Sequence, residues 1–441
     1  MTTRRHLLSG LAAGTAALAL PWPARAQDPV PQEQGRIHIV VGAPGSTKVP
    51  LALPRPIGGS AKATEFYEIV RRDLELSGWF NLISEAAYIE PAGTGVQPGE
   101  FRFEDWDVPG SVGLGKTVLS EQAGRFRAEA WVYDVPGRRR LGAKAFTGNA
   151  DALRSLAHKV ANEIVFRITG QYAPFGTRFA FAGTFSGNKE IYVVDFDGHG
   201  LTRITQNGSI NLQPAWSPTG TRLAFTSYAS GNPDCFVADL AGGKITRLSS
   251  RTGINTGPCW SPDGSRIALT LSANGDPDIY MLDSRTGEVL TRVTKSPGID
   301  VSPGFSPDGS RIAFVSDRGG GAQVYIANAD GSGAQRVSFQ GNHNTDPVWS
   351  PTGDRIAFVG RSGSFDVFTV RIDGSGLTRI TQGMGDNEDP SWSPDGNYLA
   401  FSSTRTGSPH IWMATADGSH QVQLTQGKGG YTNPSWSPQL A

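Results

Sequence analysis

The sequence predicts a multidomain chain: a small N-terminal α/β domain followed by an all-β six-bladed β-propeller closed by its own C-terminal strand. Three observations predict it. An aromatic-Ser-Pro motif recurs at Trp216, Trp260, Phe305, Trp349, Trp392 and Trp436, at intervals of 44, 45, 44, 43 and 44 residues. Each interval holds four strand signals, the periodicity of propeller blades. The composition agrees, since 56 glycines, 29 prolines and only 18% charged residues suit short strands joined by tight turns.

Taken in order, the chain opens on a removable segment. Residues 1–26 have a basic start, an apolar stretch from Leu7 to Leu20 and the A-x-A signal Ala24-Arg25-Ala26. Arg4-Arg5 ahead of Leu7-Leu8 resembles a twin-arginine export signal, although the general secretory route also tolerates paired arginines. Pro21 and Pro23 break the stretch, which argues against an anchor. Removing Arg4, Arg5 and Arg25 from 40 basic residues leaves 37 against 40 acidic ones, a formal charge of −3. No long basic run survives, so the sequence predicts no nucleic-acid partner. No later stretch is apolar enough to span a bilayer. The expected product is a soluble, monomeric periplasmic protein.

Residues 27–170 lack the repeat and read as the α/β domain. "GRIHIVV" (35–41), "KVPLALP" (48–54) and "RFRAEAWVYDV" (125–135) are strands. Phe66, Ile69, Val70 and Leu74 share one face of a helix from Ala63 to Leu76, with Gly78 as its C-terminal cap. Leu156, Val160, Ile164 and Ile168 mark a second helix that starts near Asp151 and stops at Gly170. Between them, "GSVGLGKT" (110–117) fits the phosphate-binding G-x-x-x-x-G-K-[ST] pattern. That loop needs a buried strand before it and a helix after it. Here "EDWDVP" precedes it and an alternating strand follows, so the match is accidental.

Residues 171–441 carry the blades. In S-P-D-G the proline pre-sets φ, aspartate tolerates the third turn position and glycine takes the strained fourth. This turn joins the aromatic strand to strands such as "RIAF" (311, 355), and the recurrent Trp or Phe fills the wedge between neighbouring sheets. The first such strand, "RFAF" at 178, lacks an aromatic partner before it. "NPSWSP" (433–438) supplies one from the end of the chain and latches the ring. Cys235 and Cys259 fall where other repeats carry small or apolar residues, and read as buried rather than as a disulfide.

Catalytic patterns are sparse. No serine has glycine two residues before and two after, and the seven histidines form no H-E-x-x-H, so neither metal nor cofactor is expected. Asp386, Glu388 and Asp389 cluster before one inner strand, which leaves a glycosidase- or peptidase-like hydrolase as the alternative reading. The loops entering the inner strands gather at one mouth of the channel. Three residues before each inner-strand proline stand Asn211, Asn255, Asp300, Asn344, Asn387 and Tyr431. Asx side chains cap turns, and a polar ring beside Ile254, Ile299, His343 and Tyr431 would also form a docking surface. Both readings can hold at once.

The export signal, the α/β domain, the six repeats and the terminal "NPSWSPQL" together resemble the TolB family of the Tol–Pal system. "GRIHIVVGAPGS" (35–46), "RPIGG" (55–59) and "DLELSGWFNLI" (73–83) carry the likeness through the N-terminal region. The resemblance implies a non-enzymatic periplasmic protein that binds the peptidoglycan-associated lipoprotein Pal at the channel mouth. It implies contacts at Ile254-Asn255 and Asp300-Val301, although some relatives carry histidine where this chain has Ile254. It also implies that Gly35 to Ser46, including Arg36, Ile37, His38, Ile39, Val40 and Val41, engages the inner-membrane protein TolA. The alternating Ile37, Ile39 and Val41 suit addition of a strand to a partner sheet. The implied role is to keep the outer membrane intact and constricting during cell division.

Overall fold

Strand β1 (Val49–Ala52), helix α1 (Ala63–Leu76), β2 (Phe80–Leu82), β3 (Gly113–Gln122), β4 (Arg125–Asp134), β5 (Arg139–Asn149) and helix α2 (Leu153–Thr169) form the first part of the chain. The computed structural model describes residues 48–58, 60–273 and 275–440. The export segment and the 35–46 segment, with Arg36, Ile37, His38, Ile39, Val40 and Val41, lie outside the described residues. The sheet order is β2-β1-β3-β4-β5, with β1 parallel to both its neighbours. Phe66, Ile69, Val70 and Leu74 of α1 are buried, as are Leu156, Val160 and Ile164 of α2. Each helix therefore lays its apolar stripe inward, as the 3.6-residue period requires. Gly78, just past α1, has φ 71°, a left-handed conformation that favours glycine.

The "GKT" of the phosphate-loop lookalike lies inside β3. Lys116 is 1% exposed. Its ammonium sits 2.7 Å and 2.8 Å from the two Glu90 carboxylate oxygens and 4.4 Å from the Phe101 ring centroid. A buried charge needs such a partner, and this one leaves the lysine no phosphate to hold.

Six four-stranded sheets follow, each running outward from its aromatic strand. The inner strands are Asn211–Trp216 (blade 2), Asp300–Phe305 (blade 4), Asn387–Trp392 (blade 6) and their counterparts Asn255–Trp260 (blade 3) and Asn344–Trp349 (blade 5). Blade 1 takes its inner strand, Tyr431–Trp436, from the end of the chain. It pairs antiparallel with Arg178–Gly183, Trp436 opposite Phe179. The five complete S-P-x-G turns carry their glycines at φ 67–75°. In two of them Asp263 and Asp308 accept from Ser265 and Ser310 N–H at 3.0 Å, which fixes the turn.

The aromatic side chains join neighbouring blades. Trp216, Trp260 and Trp392 donate indole N–H bonds of 3.0, 3.1 and 3.3 Å to the carbonyls of Ser435, Ala215 and Val348 on the preceding inner strands. Cys235 is buried, Cys259 is half-buried against blade 4, and both are free thiols. The two parts of the chain meet where Arg154 of α2 pairs with Asp197 at 2.5 Å. There too the Tyr398 hydroxyl donates to the Ser77 carbonyl at 2.6 Å. Asp73 and His158 form a buried 2.7 Å pair between α1 and α2. No helix among the described residues is long and apolar enough to cross a membrane.

Candidate partner-docking mouth of the propeller

The six residues three positions before the inner-strand prolines do come together, each as the first residue of its inner strand. The polar five do not face a partner. Asn211, Asn255, Asp300, Asn344 and Asn387 are all 0% exposed. Their side chains tie the inner strand to an adjoining blade or loop. Asn211 donates to Glu190 at 3.0 Å, Asn344 to Gln323 at 2.8 Å and Asn387 to Asp366 at 3.1 Å, each acceptor on the preceding blade. Asn255 accepts from the Ser249 hydroxyl at 2.6 Å and donates to the Arg251 carbonyl at 2.7 Å.

Asp300 departs from the pattern for a physical reason. The preceding blade presents Asp278 at the equivalent position, already bonded by Thr294 at 3.0 Å and by Arg292. A carboxylate cannot donate to a carboxylate, so both Asp300 oxygens accept instead from Nη2 of Arg318, at 3.0 and 2.9 Å. Tyr431 is 7% exposed, stacked on His410 with centroids 5.0 Å apart and donating to the Gln426 carbonyl at 2.6 Å. The expectation that these six side chains form the contact surface is therefore corrected: burial leaves them bonded inside the fold, within or between blades. Ile254 and Val301 are half-buried and His343 is exposed. Those three, with Ile210 and Ile299 at 46% exposure each, are what the mouth offers.

Sequence reasoning missed the ring that lines the channel. It consists of Gln213, Gly257, Ser302, Asp346, Asp389 and Asn433, the residue immediately before each inner-strand proline, around a cavity of about 140 Å³. All six have φ between 51° and 64°, although five are not glycine. A residue before proline is ordinarily extended. Here the register with the next strand slips by one at this point in every blade. The resulting bulge turns each side chain toward the axis. The recurring x-Pro at the third position was the available signal.

The carboxylates of this face lie at its centre. Burial and then the charge of Asp389 push Asp346 up to about 7. Burial raises Asp389 too, against the opposing bonds from the Asn433 backbone N–H (3.0 Å) and side-chain amide (2.8 Å). Glu388 is exposed and raised by burial of its carboxyl and by Asp389. Asp386 accepts from the Phe365 N–H at 3.1 Å. Of the three carboxylates on which the hydrolase reading rested, Asp386 and Asp389 thus hold N–H groups of the fold in place.

Comparison with known proteins agrees with this architecture. The family model of the TolB amino-terminal domain matches residues 37–141, and that of the TolB beta propeller domain matches residues 165–440. The Tol-Pal system protein TolB of Geobacter sulfurreducens is 43% identical over 186 residues, covering 41% of this chain and 43% of that protein. Its namesake in Geobacter metallireducens is 42% identical over 182 residues, 40% of this chain and 42% of that one. The matched stretch thus spans less than half the length of these curated relatives. The crystal structure of TolB from Acinetobacter baumannii superposes with a TM-score of 0.81 at 26% identity, covering 90% of this chain and 98% of that one. Two family domains, matched in order over most of the sequence and built on a closed six-bladed ring, place the chain in the TolB family.

Proposed function

We propose that the protein is a non-enzymatic docking platform of the Tol–Pal system, working in the periplasm after loss of residues 1–26. In this reading residues 27–170 form the amino-terminal domain and 171–441 the propeller. The mouth binds Pal, residues 35–46 bind TolA, and the pair of contacts supports outer-membrane integrity and invagination during division. The observation that carries the reading is the state of the mouth. Its polar ring is engaged inside the fold, while Ile210, Ile254, Ile299, Val301 and His343 remain at its surface. Exposed apolar side chains on a rigid rim suit a globular protein partner.

Calorimetric titration of the Pal periplasmic domain into the mature protein tests it. The wild type should bind. Ile254→Arg with Val301→Arg, which places two charges in the contact, should weaken binding at least about tenfold. Absence of binding by the wild type rejects the proposal. Deleting residues 35–46 should remove TolA binding and leave Pal binding intact.

A further inference from the structure

Six near-equal repeats surround the mouth, so a globular partner would meet six similar seats unless the blades differ. They differ in two ways. The residue just before each inner strand is Ile210, Ile254 and Ile299 ahead of blades 2, 3 and 4, but His343, Asp386 and Gly430 ahead of blades 5, 6 and 1. Tyr228, 38% exposed, adjoins this isoleucine arc through its N–H bond of 2.9 Å to the Ile210 carbonyl. Three isoleucines thus share one side of the rim, against the single exposed Met384 of the blade 6 loop among the described residues opposite.

The cations lean the other way. Arg318 and Arg405 are held by Asp300 and Asn387 at 2.9 and 2.8 Å, and Arg251 by the Gly287 carbonyl at 3.0 Å, so their charges serve the fold. Arg361 at the end of a blade 5 strand and Lys428 ahead of blade 1 are exposed and form no ion pair among the described residues. Lys189, half-buried in blade 1, is likewise without an ion pair there and near enough to Asp389 to hold that carboxyl down somewhat. On the isoleucine side Lys295 is exposed, and Lys189 borders that side as well, its carbonyl accepting from the Asn211 N–H at 2.8 Å. Two carboxylates of the mouth loops are already engaged by backbone, Asp317 by the Ile299 N–H at 2.8 Å and Asp386 by the Phe365 N–H at 3.1 Å.

We infer that the mouth selects one orientation of an asymmetric protein partner, seating an apolar ridge on the Ile210–Ile254–Ile299 arc and placing acidic side chains against Arg361 and Lys428. This rests on the reading of the mouth as the Pal-binding surface and adds the chemistry that Pal must present. Long cationic side chains at a rim act mainly on the rate of encounter, whereas buried apolar contacts act on the rate of escape. The two arcs are therefore separable by kinetics.

The test measures association and dissociation of the Pal periplasmic domain with three full-length mature proteins. These are the wild type, Arg361→Glu with Lys428→Glu, and Ile210→Ser with Ile299→Ser, each at about 0.05 M and about 0.5 M salt. The charge reversal should slow association about tenfold at low salt, with the difference closing at high salt. The isoleucine pair should leave association unchanged and speed dissociation about tenfold. All four side chains are at the surface, so thermal midpoints should match the wild type and exclude misfolding. If the wild type binds and either pair leaves its assigned rate unchanged, the inference falls while the docking function stands. If the wild type does not bind, both fall.

Discussion

The indole N–H of Trp436 donates a 2.8 Å hydrogen bond to the hydroxyl of Thr177, 259 residues earlier in the chain. Beside it, the Arg178 N–H donates to the Ser437 hydroxyl at 2.9 Å. These contacts fasten the last strand to the first blade. Trp436→Ala removes both the bond and a side chain packed at 4.6 Å against Phe179. It should cost about 3–5 kcal/mol in denaturant unfolding, as for other buried aromatic truncations. Ending the chain before Tyr431 should prevent folding of the propeller altogether.

The blade ties should behave as structure rather than as contact surface. Asn387→Ala strips Asp366 of one donor and takes one of three acceptors from the Arg405 guanidinium, which keeps Ser403 and Gln421. A loss of about 1–3 kcal/mol follows for two hydrogen bonds to charged groups. His343→Ala, at an exposed rim position, should change stability by less than about 0.5 kcal/mol. Urea titration of both variants checks the contrast.

Arg318 should be the more sensitive partner of its pair. Asp300 is fully buried, and Arg318→Ala leaves its charge uncompensated, which typically costs about 3–5 kcal/mol. Asp300→Asn restores the residue found in the neighbouring blades, and its amide can donate to Asp278. The double variant should therefore recover part of the lost stability. A double-mutant cycle measures the recovery.

The repeat period, the closing strand and the two long helices of the α/β part were legible in the sequence because each rests on a strong local pattern. Aromatic spacing, S-P-D-G turns and apolar residues at helical spacing all announce their geometry. The Asx ring was legible as a set of positions but not as a burial state. Asn211, Asn344 and Asn387 bond to residues 21 positions back, such as Glu190, and that distance is fixed only by how one blade packs on the next. The channel ring was hidden for another reason. Asp346 and Asp389 adopt positive φ ahead of proline, where local preference favours extended backbone, so only the assembled bulge reveals where they point.

The Asp346–Asp389 pair predicts a pH dependence. A carboxyl raised in the fold, to about 7 for Asp346, binds its proton more tightly than in the unfolded chain. The stability it contributes is present below the unfolded value near about 4 and is lost as pH rises through the folded one. The thermal midpoint of the wild type should therefore decline across that window from this source. Asp346→Asn should flatten the decline and raise the midpoint at alkaline pH. Calorimetric scans of both proteins across the window check it.

Both thiols are free, and burial pushes Cys235 up to about 12 and Cys259 up to about 11. Neither is a ready nucleophile. Adding a reductant should leave the unfolding midpoint unchanged, and the folded protein should resist alkylation at neutral pH.

Hydrogen exchange of the mature protein with and without the Pal periplasmic domain tests the docking account most directly. Protection confined to the mouth segments 206–212, 250–256 and 295–301, with the outer strands unaffected, is the predicted result. Protection mapped to the S-P-x-G turns at the opposite ends of the inner strands, with none at the mouth, would contradict it.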